Sequence, residues 1–179
     1  LLGASGGWFS LKGPLYLRDA EGSPAIRVCE GLGDACLSPD GTWIATGTPE
    51  GAALVPATGG TPLPLRLDGL SPVSFPGIFP DNRRVLSMTR DAQGRSTFHV
   101  FSPDAPPRLL CPAGRSHFNS QDVISPDGRW MALLRDRLAS QDSGAPRILI
   151  LSTEDGTERA SFPLEFAEAV IGWQGNAEG

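Results

Sequence analysis

Reactive side chains are few in this chain, and their spacing limits the chemistry open to them. Gly3-Ala4-Ser5-Gly6-Gly7 matches the GxSxG pattern of a nucleophile elbow. An elbow needs a strand, a strained turn and a following helix, which aim the serine hydroxyl and supply amides for an oxyanion. Here Trp8-Phe9-Ser10-Leu11 runs into Gly13-Pro14 with no helical period, so the five small residues read as a flexible loop. His99 sits mid-strand in Thr97-Phe98-His99-Val100 and reads as a packing or cross-strand residue, whereas His117 lies in a polar run, Gly114 to Asp122. A triad built on His117 and Asp122 lacks a serine at any telling spacing. Cys29, Cys36 and Cys111 are odd in number and form no CxxC pair, so neither a zinc site nor a disulfide framework is indicated. Buried free thiols are the favoured reading, with a Cys29–Cys36 bridge the alternative in an oxidising compartment. One aspartate per turn in the Ser-Pro-Asp-Gly segments falls short of the several carboxylates of a calcium loop. The sequence therefore assigns no catalytic residue, no metal and no cofactor; the chain is expected not to be an enzyme.

The elements that carry these residues follow from composition. Among 179 residues there are 22 Gly and 17 Pro, which punctuate helices too often for an all-α fold and suit many short strands joined by tight turns. The net charge is −5 with no offsetting basic block, so a nucleic-acid surface is not expected. No apolar run approaches the length of a membrane span, and no membrane insertion is expected. The chain opens on Leu1 without a charged-then-apolar leader and reads as a piece of a longer protein.

Three segments repeat one pattern: Ser38-Pro39-Asp40-Gly41-Thr42-Trp43-Ile44-Ala45, Phe79-Pro80-Asp81-Asn82-Arg83-Arg84-Val85-Leu86 and Ser125-Pro126-Asp127-Gly128-Arg129-Trp130-Met131-Ala132. Proline presets φ at the second turn position, aspartate suits the third, and glycine or asparagine tolerates the left-handed fourth. An apolar β-favouring run follows each turn, and then a third strand, a polar turn and a fourth strand: Ala52 to Pro56 and Leu63 to Leu67, Ser96 to Phe101 and Arg108 to Leu110, Arg147 to Leu151 and Arg159 to Phe162. The turn prolines are 41 and 46 residues apart, a period that fits four strands per unit and a propeller blade. Trp43 and Trp130 recur at one repeat position, as rings packed between sheets would.

These residues resemble the TolB-type, WD40-like β-propeller repeat: the Ser-Pro-Asp-Gly hairpin, the apolar strand after it, and turns such as Thr58-Gly59-Gly60-Thr61. The resemblance covers nearly the whole chain and departs in Asn82 and in the Leu138 to Ala145 excursion. It implies an all-β propeller of four-stranded antiparallel blades, about four in number. The blades would be residues 1–30 with 167–179, then 31–69, 70–112 and 113–166, in a single domain of residues 1–179. Leu15 to Arg18 and Ala25 to Val28 read as third and fourth strands of the first blade. Ala169-Val170-Ile171-Gly172-Trp173 would complete that blade as its innermost strand, beside the strand starting near Leu1; the alternative is an excised run of a larger ring.

The resemblance implies a binding or sensor module, working through a protein or peptide partner in a bacterial envelope or signalling protein, in a periplasmic or extracytoplasmic setting. An accessory gating propeller of a prolyl-oligopeptidase-type serine peptidase is the alternative. In such propellers the second-to-third and fourth-to-first connections share one face. That face would present Arg115, His117, Asn119 and Gln121 from one polar connection, with Arg90, Arg95, Arg135 and Arg137 from the others. Arginines and amides suit acidic or peptide-like ligands.

Overall fold

A computed structural model describes residues 12–18, 24–90, 96–112, 116–117, 123–135, 147–164 and 173. Every strand pairing is antiparallel, and the described residues form three separate sheets. The first joins β1 (Lys12–Leu17), β2 (Ile26–Leu37), β3 (Trp43–Thr48), β4 (Gly51–Pro56) and β5 (Leu63–Pro64) in that order. The second is β6 (Pro72–Ile78), β7 (Val85–Arg90), β8 (Ser96–Phe101) and β9 (Arg108–Pro112). The third is β10 (Ser116–His117), β11 (Trp130–Arg135), β12 (Arg147–Ser152) and β13 (Glu158–Pro163).

The aspartate turns form as their residues dictate. Gly41 and Gly128 take φ of 74° and 70°, and Asn82 takes 57°. Asp40 accepts from Ser38 Oγ at 2.7 Å and the Thr42 amide at 3.0 Å, while Ser38 Oγ accepts from the Trp43 amide at 2.9 Å. Asp127 repeats this with Ser125 Oγ at 2.6 Å and the Arg129 amide at 3.0 Å. Asp81, with Phe79 in place of a serine, caps the Arg83 and Arg84 amides instead. These carboxylates are turn-formers, and the amides and hydroxyls around Asp40 and Asp127 hold both below the usual carboxylate range.

The boundary expected between residues 30 and 31 falls within β2. Its first half pairs with β1 and its second half with β3. A straight strand would place Val28 about 30 Å from Leu37. Yet Val28 shares a cluster with Ile44, which pairs with Leu37, and with Val55 and Ala57. The strand therefore folds back near Gly33, whose φ is 85° and where pairing shifts between Leu32 and Ala35. The β1 hairpin lies over one face of the β3–β4 pair and brings Leu15 and Leu17 to that cluster. Two further clusters fill the spaces between sheets. Cys36, Ala45 and Leu54 meet Phe75, Val85 and Phe101, with Trp43 packed alongside. Leu86, Met88 and Phe98 meet Met131, Leu133 and Leu149. The result is a stack of hairpin, first, second and third sheets.

Of the expected strand Leu63 to Leu67, Leu63 and Pro64 pair with β4 and the Leu65 amide donates to the Ala52 carbonyl at 2.8 Å, while prolines at 62 and 64 withhold donors. The cysteines are free thiols, and burial pushes Cys36 up to about 12. The terminal pairing expected of Val170 and Ile171 with the strand near Leu1, and the 138–145 excursion, lie outside the described residues.

Candidate functional site

Each sheet has an end that bears the aspartate turn and an opposite end, where second and third strands connect. Arg90 closes β7 at the second of these, with its backbone opposite Ser96 and its side chain exposed. Arg135 closes β11 at the corresponding end of the third sheet, paired with Ser116 on one side and Arg147 on the other. His117 pairs with Leu134 one residue inward. The backbone thus brings Arg135 and His117 together and places Arg90 at the equivalent end of the neighbouring sheet. Arg95, Arg115, Asn119, Gln121 and Arg137 lie outside the described residues.

Beneath Arg90 lies a buried polar ladder. Ser87 pairs with His99 and Thr89 with Thr97 across β7 and β8, so all four side chains share the face toward the first sheet. Thr89 Oγ1 is 2.9 Å from Thr97 Oγ1 and 3.1 Å from His99 Nδ1. Burial pushes the His99 imidazole below its ordinary range, so it is neutral at pH 7. Its ring centroid stands 5.9 Å from that of Phe101. Ser87 Oγ donates to the Ser74 carbonyl at 2.7 Å, and Thr46 Oγ1 donates to the Asp34 carbonyl at 3.3 Å. Those carbonyls sit where β6 and β2 slip out of register with their partners, so each hydroxyl caps an acceptor that the ladder leaves free. Ser74 also donates to the half-buried Asp34 carboxyl, whose pKa is raised mainly by desolvation and partly lowered by that bond. Strands β2 and β6 therefore meet through a polar contact.

These groups are arranged to hold strands and to present charge. The Ser87 and Thr46 hydroxyls are spent on backbone carbonyls, and His99 faces hydroxyls through Nδ1. Among the described residues no group of His, Cys, Asp and Glu could hold a metal ion, and no helix is long and apolar enough to cross a membrane. A cleft of about 250 Å³ lies at the same end of the first sheet, lined by Thr48, Glu50, Pro62, Pro64, Leu65 and Leu67. Sequence reasoning missed Asp34, Ser74 and the hydroxyl ladder. A signal was present: Thr46 and Ser87 each follow their turn aspartate by six residues, and Thr48 and Thr89 by eight.

No protein-family model matches the chain, and no curated protein matches it. Among solved structures, a protein designated TolB from Agrobacterium tumefaciens superposes with a TM-score of 0.59 at 22% identity. The fold is TolB-like. The likeness covers 87% of this chain and 56% of the neighbour, so the chain spans about half of that TolB-like length.

Proposed function

We propose that the three sheets are successive blades of a β-propeller, and that the chain is a non-catalytic binding module for a protein or peptide partner in a bacterial envelope or signalling protein outside the cytoplasm. The observation that carries this reading is the placement of Arg90, His117 and Arg135 at the ends of their sheets away from the aspartate turns. The TolB-like fold supports the propeller, and the engagement of the buried hydroxyls with backbone carbonyls supports a scaffold rather than a reaction centre. The proposed surface also takes in Arg95, Arg115, Asn119, Gln121 and Arg137, which lie outside the described residues. An acidic peptide is the ligand that this chemistry suits, since guanidinium groups bind carboxylates through paired, charge-assisted hydrogen bonds.

The test is fluorescence anisotropy with a labelled Asp/Glu-rich peptide and a Lys-rich control. The acidic peptide should bind, and the paired Arg115→Ala, His117→Ala variant should lose about tenfold in affinity or more, the equivalent of one charge-assisted hydrogen bond. Arg90→Ala should weaken binding in the same direction with an unchanged melting temperature. Equal affinity in wild type and both variants would remove these residues from any recognition role.

A further inference from the structure

The cleft on the first sheet opens between the β3–β4 turn and the chain around β5. Its buried lining includes Ala52 and Leu65, Leu67 is half-buried, and Pro62 and Pro64 are exposed. Backbone holds this opening in shape. The Leu65 amide donates to the Ala52 carbonyl at 2.8 Å, and the Arg66 amide donates to the Ser102 carbonyl of the second sheet at 3.1 Å. Gly51 of the turn has φ of 141° and lies close against Leu67, whose Cδ1 would stand 3.1 Å from a built Cβ.

Two polar side chains border the apolar lining, the half-buried Thr48 and the exposed Glu50. Glu50 alone is charged among the described residues that line the cleft. It has no ion-pair partner among the described residues, and Arg66, next to Leu65, is held by Asp68 at 2.9 Å instead. The cleft is thus an apolar slot with one unneutralised carboxylate.

Its dimensions and edge chemistry select the occupant. A volume of about 250 Å³ falls below that of pockets for drug-sized molecules and suits a single side chain. A strand added along β5 is disfavoured. Leu65 turns its amide inward to β4, so positions 62 and 64 face the free edge, and both are prolines with no N–H to donate. The occupant therefore enters as an aliphatic stem against proline and leucine, with a positive charge at Glu50. Lysine meets both demands. Its methylenes pack on apolar surface while the ammonium stays at the water boundary. The three ammonium donors match the Glu50 carboxylate and the Thr48 hydroxyl.

We propose that this cleft anchors a lysine side chain of the bound peptide, with Glu50 selecting its charge. The proposal rests on reading this end of the sheets as the peptide surface. Glu50 lies in the β3–β4 connection, the counterpart of the connections that Arg90 opens after β7 and Arg135 after β11. The sign of charge is reversed on the first sheet, so the favoured ligand is an acidic peptide carrying one lysine.

Two measurements on the whole chain test this. Amide chemical shifts are followed in titrations with Nα-acetyl-lysine methylamide and with its norleucine analogue, which keeps the stem and lacks the charge. The lysine probe should shift Glu50, Gly51 and Leu65, and should bind about fivefold tighter than the norleucine probe, near the upper limit for an exposed ion pair. Glu50→Gln should remove that difference with an unchanged melting temperature, because Glu50 is exposed and holds no partner in the fold. In the anisotropy assay, a lysine scanned through the Asp/Glu-rich peptide should, at its best position, tighten binding to the wild type about fivefold and leave Glu50→Gln unmoved. Equal affinity for the two probes, shifts only outside the cleft, or a lysine preference that survives Glu50→Gln would overturn the anchor. Charge-selective binding of the lysine probe without binding of any acidic peptide would support the lysine site and overturn the peptide surface, so the two readings fail separately.

Discussion

Three glycines separate two physical costs that are usually confounded. Gly41 has φ of 74° and open space around a built Cβ, so Gly41→Ala tests the left-handed backbone alone. Gly47 has no left-handed φ, but its Cβ would stand 2.3 Å from the Leu32 carbonyl oxygen, so Gly47→Ala tests close approach within the first sheet. Gly156 combines φ of 72° with a Cβ position 2.1 Å from the Leu110 carbonyl oxygen in the neighbouring sheet. A left-handed alanine costs about 1 kcal/mol. Forcing an atom into filled space costs about 1–3 kcal/mol, because backbone on both sides must shift. The expected losses are therefore about 1 kcal/mol for Gly41→Ala and about 2–4 kcal/mol for Gly156→Ala, with Gly47→Ala between them. At roughly 2–4 °C per kcal/mol for a chain of this size, Gly41→Ala should melt about 2–4 °C lower and Gly156→Ala about 4–16 °C lower. Thermal unfolding followed by circular dichroism, with urea unfolding to check the order, reads all three. If Gly156→Ala is no worse than Gly41→Ala, the turn does not press on β9 and the contact between the second and third sheets is misassigned.

Other consequences follow from the buried polar groups. Ser87→Ala strands the Ser74 carbonyl where β6 slips register, and should cost about 1–3 kcal/mol in urea unfolding; a neutral result would mean that water or the ladder satisfies that carbonyl. His99 is held below its ordinary value of 6.5 by burial, so the unfolded chain binds the extra proton first. Stability supplied by neutral His99 is complete above that ordinary value and falls as pH drops through it toward the lower folded value. His99→Gln should flatten the urea midpoint between pH 7.5 and 5.5 relative to wild type, and an identical slope would assign the dependence to other groups.

The architecture was legible because it is written several times over. Turn aspartates at 40, 81 and 127 gave the hairpins, and the apolar runs after them became β3, β7 and β11. The tryptophan repeat was legible at Trp43, which packs in the second cluster as a ring between sheets should. Asn82 looked like a departure from the turn pattern, and its left-handed φ explains the tolerance. Its purpose was hidden, because Asn82 Nδ2 donates to Asp40 Oδ2 at 2.6 Å across 42 positions, and no local pattern reports a partner in another sheet. The fold-back in β2 was hidden for a related reason: Gly31 and Gly33 punctuate a run whose two halves both favour β, so a unit boundary and a sharply bent strand look alike in sequence. At the candidate site, the arginines were visible as a class, but the hydroxyl ladder under Arg90 depends on cross-strand register, and residue types alone leave register open.

The distribution of inter-sheet bonds explains why binding would settle at one end of the stack. The turns that carry Asp40, Asn82, Gly128, Ser102 and Thr153 are committed to holding layers together. Asn82 bonds Asp40, a Cβ at Gly128 would stand 3.0 Å from Pro80 Cδ, and the 153–156 turn grips β9. A substitution there changes the stacking before it changes any surface. Among the described residues, Arg90 and Arg135 at the other ends are held by local pairing with Ser96, Ser116 and Arg147, and the contact between sheets nearest them is that of Ser74 with Asp34. The third sheet shows the freedom this allows. Where the first two sheets place Thr46 and Ser87, it has Leu133, and where they place Thr48 and Thr89, it has Arg135. Leu133 joins the cluster between sheets, and Arg135 is the last residue of its strand. A scaffold bolted at one end can vary its side chains at the other with little cost in stability, which is the physical condition for a recognition surface to arise there.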